Sequence, residues 1–298
     1  MLKRTLFFGN PVYLSTKNKQ LVIKFPEEEK EDRRVPIEDI GVVVLESPQI
    51  TITTGVLTKL VENKCVVIHC NQQHLPVSIL QPLSGHTLFT ERLRYQLDAS
   101  EPLKKNLWKQ TVQAKIQNQA THLSIQGKDA RKLERWLKEV KSGDGENHEA
   151  YAAAYYFQNI YDIEGFSRNQ KGIPPNHWLN YGYAILRAVT ARAITASGLL
   201  PVYGIWHRNK YNPYCLADDI MEPYRSFVDL IVQDMLIQFD LEEDLTTEHK
   251  RVLLQIPAMD VVIEGRKSPL MVAMSRTTNS LYECFEGTSR KILYPTME

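Results

Sequence analysis

The sequence predicts an α+β protein, with a small β-rich domain over residues 1–83 and a larger all-α domain over 84–298. Three observations carry this. Up to about residue 83, apolar residues come in short runs broken by turn signals. From His86 onward their spacing becomes helical. Between the two, Pro82 and Gly85 mark residues 76–85 as a linker. A chain of 298 residues is long enough for two such domains.

In the first domain, Thr5-Leu6-Phe7-Phe8 is a strand ended by Gly9-Asn10-Pro11. Residues 21–25 form a second strand after a polar turn at 16–19. Val42-Val43-Val44-Leu45 is a continuous apolar run, as in a strand covered on both faces. Residues 50–53 alternate, and residues 66–69 close the set. Helical spacing appears only at Val56, Leu57, Leu60 and Val61. The charged run 27–34 reads as a solvated loop or hairpin tip. His69 and His74 are conceivable ligands, but no carboxylate lies near them in sequence.

In the second domain, residues 86–99, 101–119 and 129–140 read as three helices. The second has Leu103, Leu107, Trp108, Val112 and Ile116 on one side and Lys104, Lys105, Lys109 and Lys115 on the other. A turn at 141–145 leads to Asn147, a good N-cap for an alanine-rich helix beginning at Glu149. An irregular loop spans 163–175. Asn176 starts a long helix ending before Gly198. Gly182 in its middle costs about 1 kcal/mol against alanine unless something packs closely there. Residues 224–239, a segment capped by Thr246 or Thr247, and residues 268–285 read as the last helices, with an acidic loop at 241–244.

No apolar run approaches a membrane span, and the first ten residues lack the apolar core of a signal peptide, which points to the cytoplasm and away from membranes. Cys65, Cys70, Cys215 and Cys284 include no C-x-x-C pair and read as buried thiols. Net charge is only +1, but its distribution is uneven. Residues 92–141 hold twelve Lys or Arg against five acids; residues 218–248 hold ten acids against one Arg. A basic face for a polyanion is one reading, and two solvated helical faces of opposite sign is the other.

The chemistry concentrates in residues 204–225, GIWHRNKYNPYCLADDIMEPYR. His207 is followed within 15 residues by Asp218, Asp219 and Glu222. Imidazole plus carboxylate is a donor set for Mn²⁺ or Mg²⁺. If 218–221 is helical, Glu222 shares a face with both aspartates. The same letters also read as a capping box, Asp219-x-x-Glu222, with Pro223 near a helix start.

Gly204-Ile205-Trp206-His207, followed by Asn212-Pro213 and Leu216-Ala217-Asp218-Asp219-Ile220-Met221-Glu222-Pro223-Tyr224-Arg225, resembles the CRISPR-associated spacer-acquisition integrases, the Cas-one family, most of all its type II branch. The alanine-rich helix with its Tyr-Phe pair and Leu179-Asn180-Tyr181-Gly182-Tyr183-Ala184 resemble it too, in the family's order. Trp206 stands where type II relatives often have another histidine.

The resemblance implies that Glu149, His207 and Glu222 are catalytic metal ligands for Mg²⁺ or Mn²⁺. Glu146 is the nearby competitor of Glu149. Asp218 and Asp219 become supporting residues, Asp218 the better candidate for a direct role. Asn180 either lines the site, touches DNA or is core. Lys104, Lys105, Lys109, Lys115, Arg131 and Arg135 become candidate contacts to DNA phosphates.

The implied activity is insertion of protospacer DNA into the leader-repeat by attack of a 3′-hydroxyl on a phosphodiester. The implied assembly is a homodimer, with the first domain as dimerisation unit, two such dimers being bridged by a dimer of the second Cas protein. Two other classes remain on the residues alone: a metal-dependent phosphodiesterase without strand transfer, and a non-catalytic DNA-binding scaffold.

Overall fold

The computed structural model describes every residue except 1–2, 28–29, 73, 81, 83–85 and 242–243. The expected boundary at 83/84, Gly85 of the expected linker and the middle of the 241–244 loop lie outside the described residues. The chain divides into two compact units, Met1–Gly85 and His86–Glu298.

The first unit holds β1 (Arg4–Phe8), β2 (Tyr13–Lys17), β3 (Gln20–Lys24), β4 (Arg33–Pro36), β5 (Ile40–Leu45), β6 (Thr51–Ile52), α1 (Thr54–Glu62), β7 (Val66–Cys70) and β8 (Pro76–Leu80). They form two four-stranded sheets, ordered β1-β5-β7-β8 and β4-β3-β2-β6. β5 runs parallel to both its neighbours and every one of its residues is buried, as its unbroken apolar run requires. The β2–β3 hairpin turns on Asn18 and Lys19, both at positive φ, the two-residue geometry that suits the strand twist. Apolar residues of both sheets and of α1 form one core, including Leu14, Leu21, Ile40, Val43, Val56 and Leu60.

Three strands escape the sequence pattern for one reason: they present much of their surface to solvent. β2 and β4 are polar, and β8 lies at a sheet edge, where its Pro76 needs no ladder partner. The expected linker over 76–85 is therefore corrected in its first half, which pairs antiparallel with β7.

The second unit holds α2 (Phe89–Asp98), α3 (Glu101–Ile125), α4 (Arg131–Glu139), α5 (His148–Ile160), α6 (Asn176–Ala196), α7 (Cys215–Met221), α8 (Arg225–Gln238), α9 (Thr247–Leu253), β9 (Asp260–Ile263), β10 (Arg266–Pro269) and α10 (Leu270–Glu286). The expectation of an all-α unit is corrected by β9 and β10, an antiparallel hairpin turning on Glu264 and Gly265. The α+β class is unaffected. No described helix is long and apolar enough to cross a membrane. All four cysteines are buried thiols outside any disulfide.

α3 is the axis of this unit. Ser100 caps it by accepting from the Leu103 amide, and Pro102 occupies its first turn. The polar side expected for it is not all solvated, since Lys104 and Lys115 are each only 6% exposed. α5 starts differently from expectation. Asn147 has φ 59° and makes no side-chain cap. The Asp144 carboxylate instead accepts from the amides of His148 (3.0 Å) and Glu149 (2.9 Å).

α6 is buried along most of its length, and Gly182 allows α8 to approach it. A Cβ there would lie 2.5 Å from Val228 Cγ1, so something must shift. Gly182→Ala is expected to lower stability by about 1–3 kcal/mol, the usual cost of overpacking, despite alanine's better helix propensity. Urea unfolding checks the sign.

Candidate active site

Glu149 sits in the first turn of α5, where the Asp144 cap fixes the backbone beneath it. Glu222 follows α7 directly and opens a short 3₁₀ turn, Glu222–Tyr224. The two carboxylates come from segments 73 residues apart, yet both meet one cation. The Lys115 ammonium, reaching from α3, contacts Glu149 Oε1 and lies 2.6 Å from Glu222 Oε2. On the other side of Glu222, Arg225 Nε donates to Oε1 at 2.9 Å.

Burial works to raise the Glu222 pKa, but Arg225 and Lys115 outweigh it and bring the carboxyl down to about 2. Burial likewise opposes the charge on Lys115, while Glu222 and Glu149 more than compensate and hold its pKa above the usual value.

His207 is placed by Asp219. The Asp219 side chain is fully buried in α7 and collects the 205–207 loop. Its Oδ2 accepts from the amides of Ile205 (2.7 Å) and Trp206 (3.0 Å). Its Oδ1 accepts from the His207 amide (3.2 Å) and pairs with the ring Nδ1 at 2.6 Å. With Nδ1 engaged, Nε2 is the ring nitrogen left for a cation. The hydrogen bond to Asp219 raises the His207 pKa against the opposing effect of partial burial.

Gly204 is required by this packing, because a Cβ would lie 2.5 Å from the His207 carbonyl oxygen and 2.7 Å from Asp219 Oδ2. Trp206 stacks parallel on Trp108 at 5.5 Å between ring centroids, and the His207 ring meets Trp108 edge-on. A cleft of about 310 Å³ beside His207 is lined by Lys104, Tyr203, Arg208 and Lys210 among others.

The remaining sequence candidates fall elsewhere. Asp218 receives Arg187 Nε and Asn212 Nδ2, each at 2.7 Å, and so ties α6 to the loop before α7. The capping-box alternative does not form, since Asp219 lies inside α7. Asn180 bridges Gln170 and Arg168 and holds the 163–175 loop. Glu146 is exposed and paired with Lys141. Lys105, Arg131 and Arg135 are exposed, the two arginines against Asp129 and Glu139; Lys109 is partly buried. Lys104 stands over the Tyr203 ring, 3.7 Å from Glu101. His69 is exposed, and His74 lies 3.5 Å from Glu46.

Sequence reading did not single out Arg225 or Asp229. Arg225 lies within a quoted motif and three residues past Glu222, a spacing that signals a helical pair. Asp229 had no such signal. It receives the hydroxyls of Tyr156 (3.0 Å) and Tyr183, tyrosines remote from it in sequence.

These donors suit a hard divalent cation in two respects. Two carboxylates already bracket one positive charge. Glu222 Oε2 is buried, and its near neighbour at 2.6 Å is the Lys115 ammonium, a positive charge where the cation would sit. Among the described residues, however, no three His, Cys, Asp or Glu side chains form a ready-made cage. The acids here are gathered around an ammonium.

Residues 6–266 match the family model described as "CRISPR associated protein Cas1". The chain is 38% identical over 282 residues to the CRISPR-associated endonuclease Cas1 of Neisseria meningitidis serogroup C (strain 8013), covering 94% of this chain and 91% of that protein. Among solved structures it resembles a casposase bound to integration product, with TM-score 0.78 and 19% identity over 98% of this chain and 92% of that one. It also resembles a chain of a Cas6-RT-Cas1–Cas2 complex, with TM-score 0.75 and 18% identity over 99% of this chain and 36% of that one. The two structural likenesses speak for the fold. With the match over most of its length and the curated relative at 38% identity, the chain belongs to the CRISPR-associated Cas1 family.

Proposed function

We propose that this protein is a divalent-cation-dependent DNA endonuclease and integrase of CRISPR adaptation. It would insert protospacer DNA into the repeat array by attack of a 3′-hydroxyl on a phosphodiester. One observation carries the reading: the carboxylates of Glu149 and Glu222, brought together from two helical segments, bracket a single positive charge. His207, fifteen residues before Glu222, is oriented by Asp219.

Glu149, His207 and Glu222 would hold Mg²⁺ or Mn²⁺, which when bound stabilises negative charge at the reacting phosphate. Asp219 keeps the His207 ring in one orientation and Nδ1 occupied, so Nε2 is the nitrogen at which the cation would compete with a proton. Lys105, Lys109, Arg131 and Arg135 would take the DNA backbone, with phosphates competing against Asp129 and Glu139 for the two arginines. The name of the integration-product complex, and that of the assembly containing a Cas1–Cas2 pair, support DNA and a second Cas protein as partners. A homodimer formed through the first unit belongs to the same proposal.

The test is a strand-joining assay. It offers a linear duplex with free 3′ ends and a supercoiled plasmid carrying a repeat array, with Mn²⁺ or Mg²⁺ and the second Cas protein. Joined product is expected from wild type and lost in Glu149→Ala, His207→Ala and Glu222→Ala. Joining that survives all three substitutions would sink the assignment. Metal-dependent cutting without joining would keep the site and reduce the role to nuclease.

A further inference from the structure

Lys115 was expected on the outer, DNA-facing side of α3, but its side chain is only 8% exposed and its ammonium lies between Glu149 and Glu222. We propose that Lys115 is a resident counter-cation, filling the place between these carboxylates until a divalent cation displaces it and then passing to a phosphate of the bound DNA. This deepens the function proposed above and rests on it. Its consequence is that cation and DNA bind cooperatively through one side chain.

Charge balance favours the exchange. Glu149 and Glu222 bring two negative charges, and Lys115 and Arg225 bring two positive ones. A divalent cation added to that neutral set would leave two uncompensated charges in a largely buried site, which is strongly unfavourable. Departure of one resident cation halves that excess.

Arg225 is the worse candidate to leave. Its Nε is committed to Glu222 Oε1, and its guanidinium lies 4.6 Å from the centroid of the Tyr183 ring. The Tyr183 hydroxyl is held in turn by buried Asp229. Lys115 is a point charge on a flexible four-carbon stem. Its ammonium contacts the two carboxylates that the cation would take. A departing ammonium needs an anion, and the phosphate that the site would receive supplies it.

Coupling of this kind is reciprocal: whatever factor DNA adds to cation affinity, the cation adds to DNA affinity. The experiment uses the full chain and Mn²⁺ as probe, with free Mn²⁺ followed by electron paramagnetic resonance. A duplex with free 3′ ends is present or absent. In wild type, DNA is expected to tighten Mn²⁺ binding by about tenfold, within the usual range for coupled sites, and Mn²⁺ to tighten DNA binding equally. In Lys115→Met the DNA-free affinity for Mn²⁺ should rise by about the same factor, and the coupling should shrink.

Lys115→Met strands two acids and could fold poorly, so Lys115→Gln is measured alongside it by thermal melting. Each variant should melt lower than wild type in EDTA and gain more from Mn²⁺. Variants that bind Mn²⁺ no tighter than wild type, or that gain no more from it on melting, overturn the exchange and mark Lys115 as a fixed support. If wild type joins strands while the variants show no tightening, the function stands and this inference falls. If the variants tighten but wild type joins nothing, the inference stands and strand joining falls.

Discussion

Asp219→Ala is expected to lower stability by about 3–5 kcal/mol, since each buried amide left without an acceptor costs about 1–3 kcal/mol, and to abolish strand joining with it. The deleted carboxylate is fully buried and accepts from three consecutive backbone amides as well as from the His207 ring. Alanine leaves those three donors without an acceptor in a space too crowded to rearrange, as the Gly204 contacts show. Asp219→Asn keeps the shape and one acceptor oxygen but loses the charge, so it should fall between wild type and alanine. Thermal melting in EDTA gives the structural loss, and the joining assay gives the functional one. An Asp219→Ala protein that melts like wild type would show that the 205–207 loop is held by something else.

The second large effect concerns acid. His122 is buried in α3, with Nδ1 2.7 Å from the Tyr156 hydroxyl, and the Tyr156 proton goes to Asp229. Burial pushes the His122 pKa down to about 4 from an ordinary 6.5. Between those values the unfolded chain takes up a proton at this position and the folded chain does not. Stability from His122 is therefore whole above pH 6.5 and is lost progressively as pH falls towards 4. At 1.36 kcal/mol per pKa unit, the loss approaches roughly 3 kcal/mol.

Asp229 works in the opposite sense. Burial raises its pKa to about 6, against the hydrogen bonds from Tyr183 and Tyr156, so the folded chain takes up a proton there before the unfolded one does. That partly offsets the His122 effect in the wild type, and comparison with a variant isolates it. His122→Asn lacks the titrating ring, so the stability difference between wild type and variant should narrow from pH 7 to pH 4. Chemical unfolding at a series of pH values measures it; a difference constant over that range would contradict the assignment.

Where local pattern alone decides structure, the sequence was readable. The valine run of β5, the start of α3 at Glu101 and the start of α6 at Asn176 each need only neighbours in the chain. β8 was lost because it lies at a sheet edge, and β2 because its solvated residues carry no apolar alternation. The Asn147 cap failed because Asp144, three residues earlier, reaches the same amides with a charged acceptor.

The site divides the same way. His207 and Glu222 stand in one short stretch and were marked by residue type, whereas Glu149 depended on family resemblance. Asp219 was marked only as a supporting residue, behind Asp218, because a helix-internal aspartate binding a preceding loop has no fixed spacing. Lys115 was misplaced because helical periodicity cannot distinguish a lysine facing solvent from one facing two carboxylates brought in from α5 and the end of α7.

The stack of Trp108 on Trp206 gives the molecule an optical gauge of its own. One indole is 2% exposed on α3 and the other 39% exposed beside His207. The rigid ring is a fixed reference, and the accessible ring rides on the loop that carries the imidazole. A rearrangement of that loop changes the overlap of the two chromophores, so the share of ultraviolet emission lost in Trp206→Phe reports the posture of the histidine without an added label.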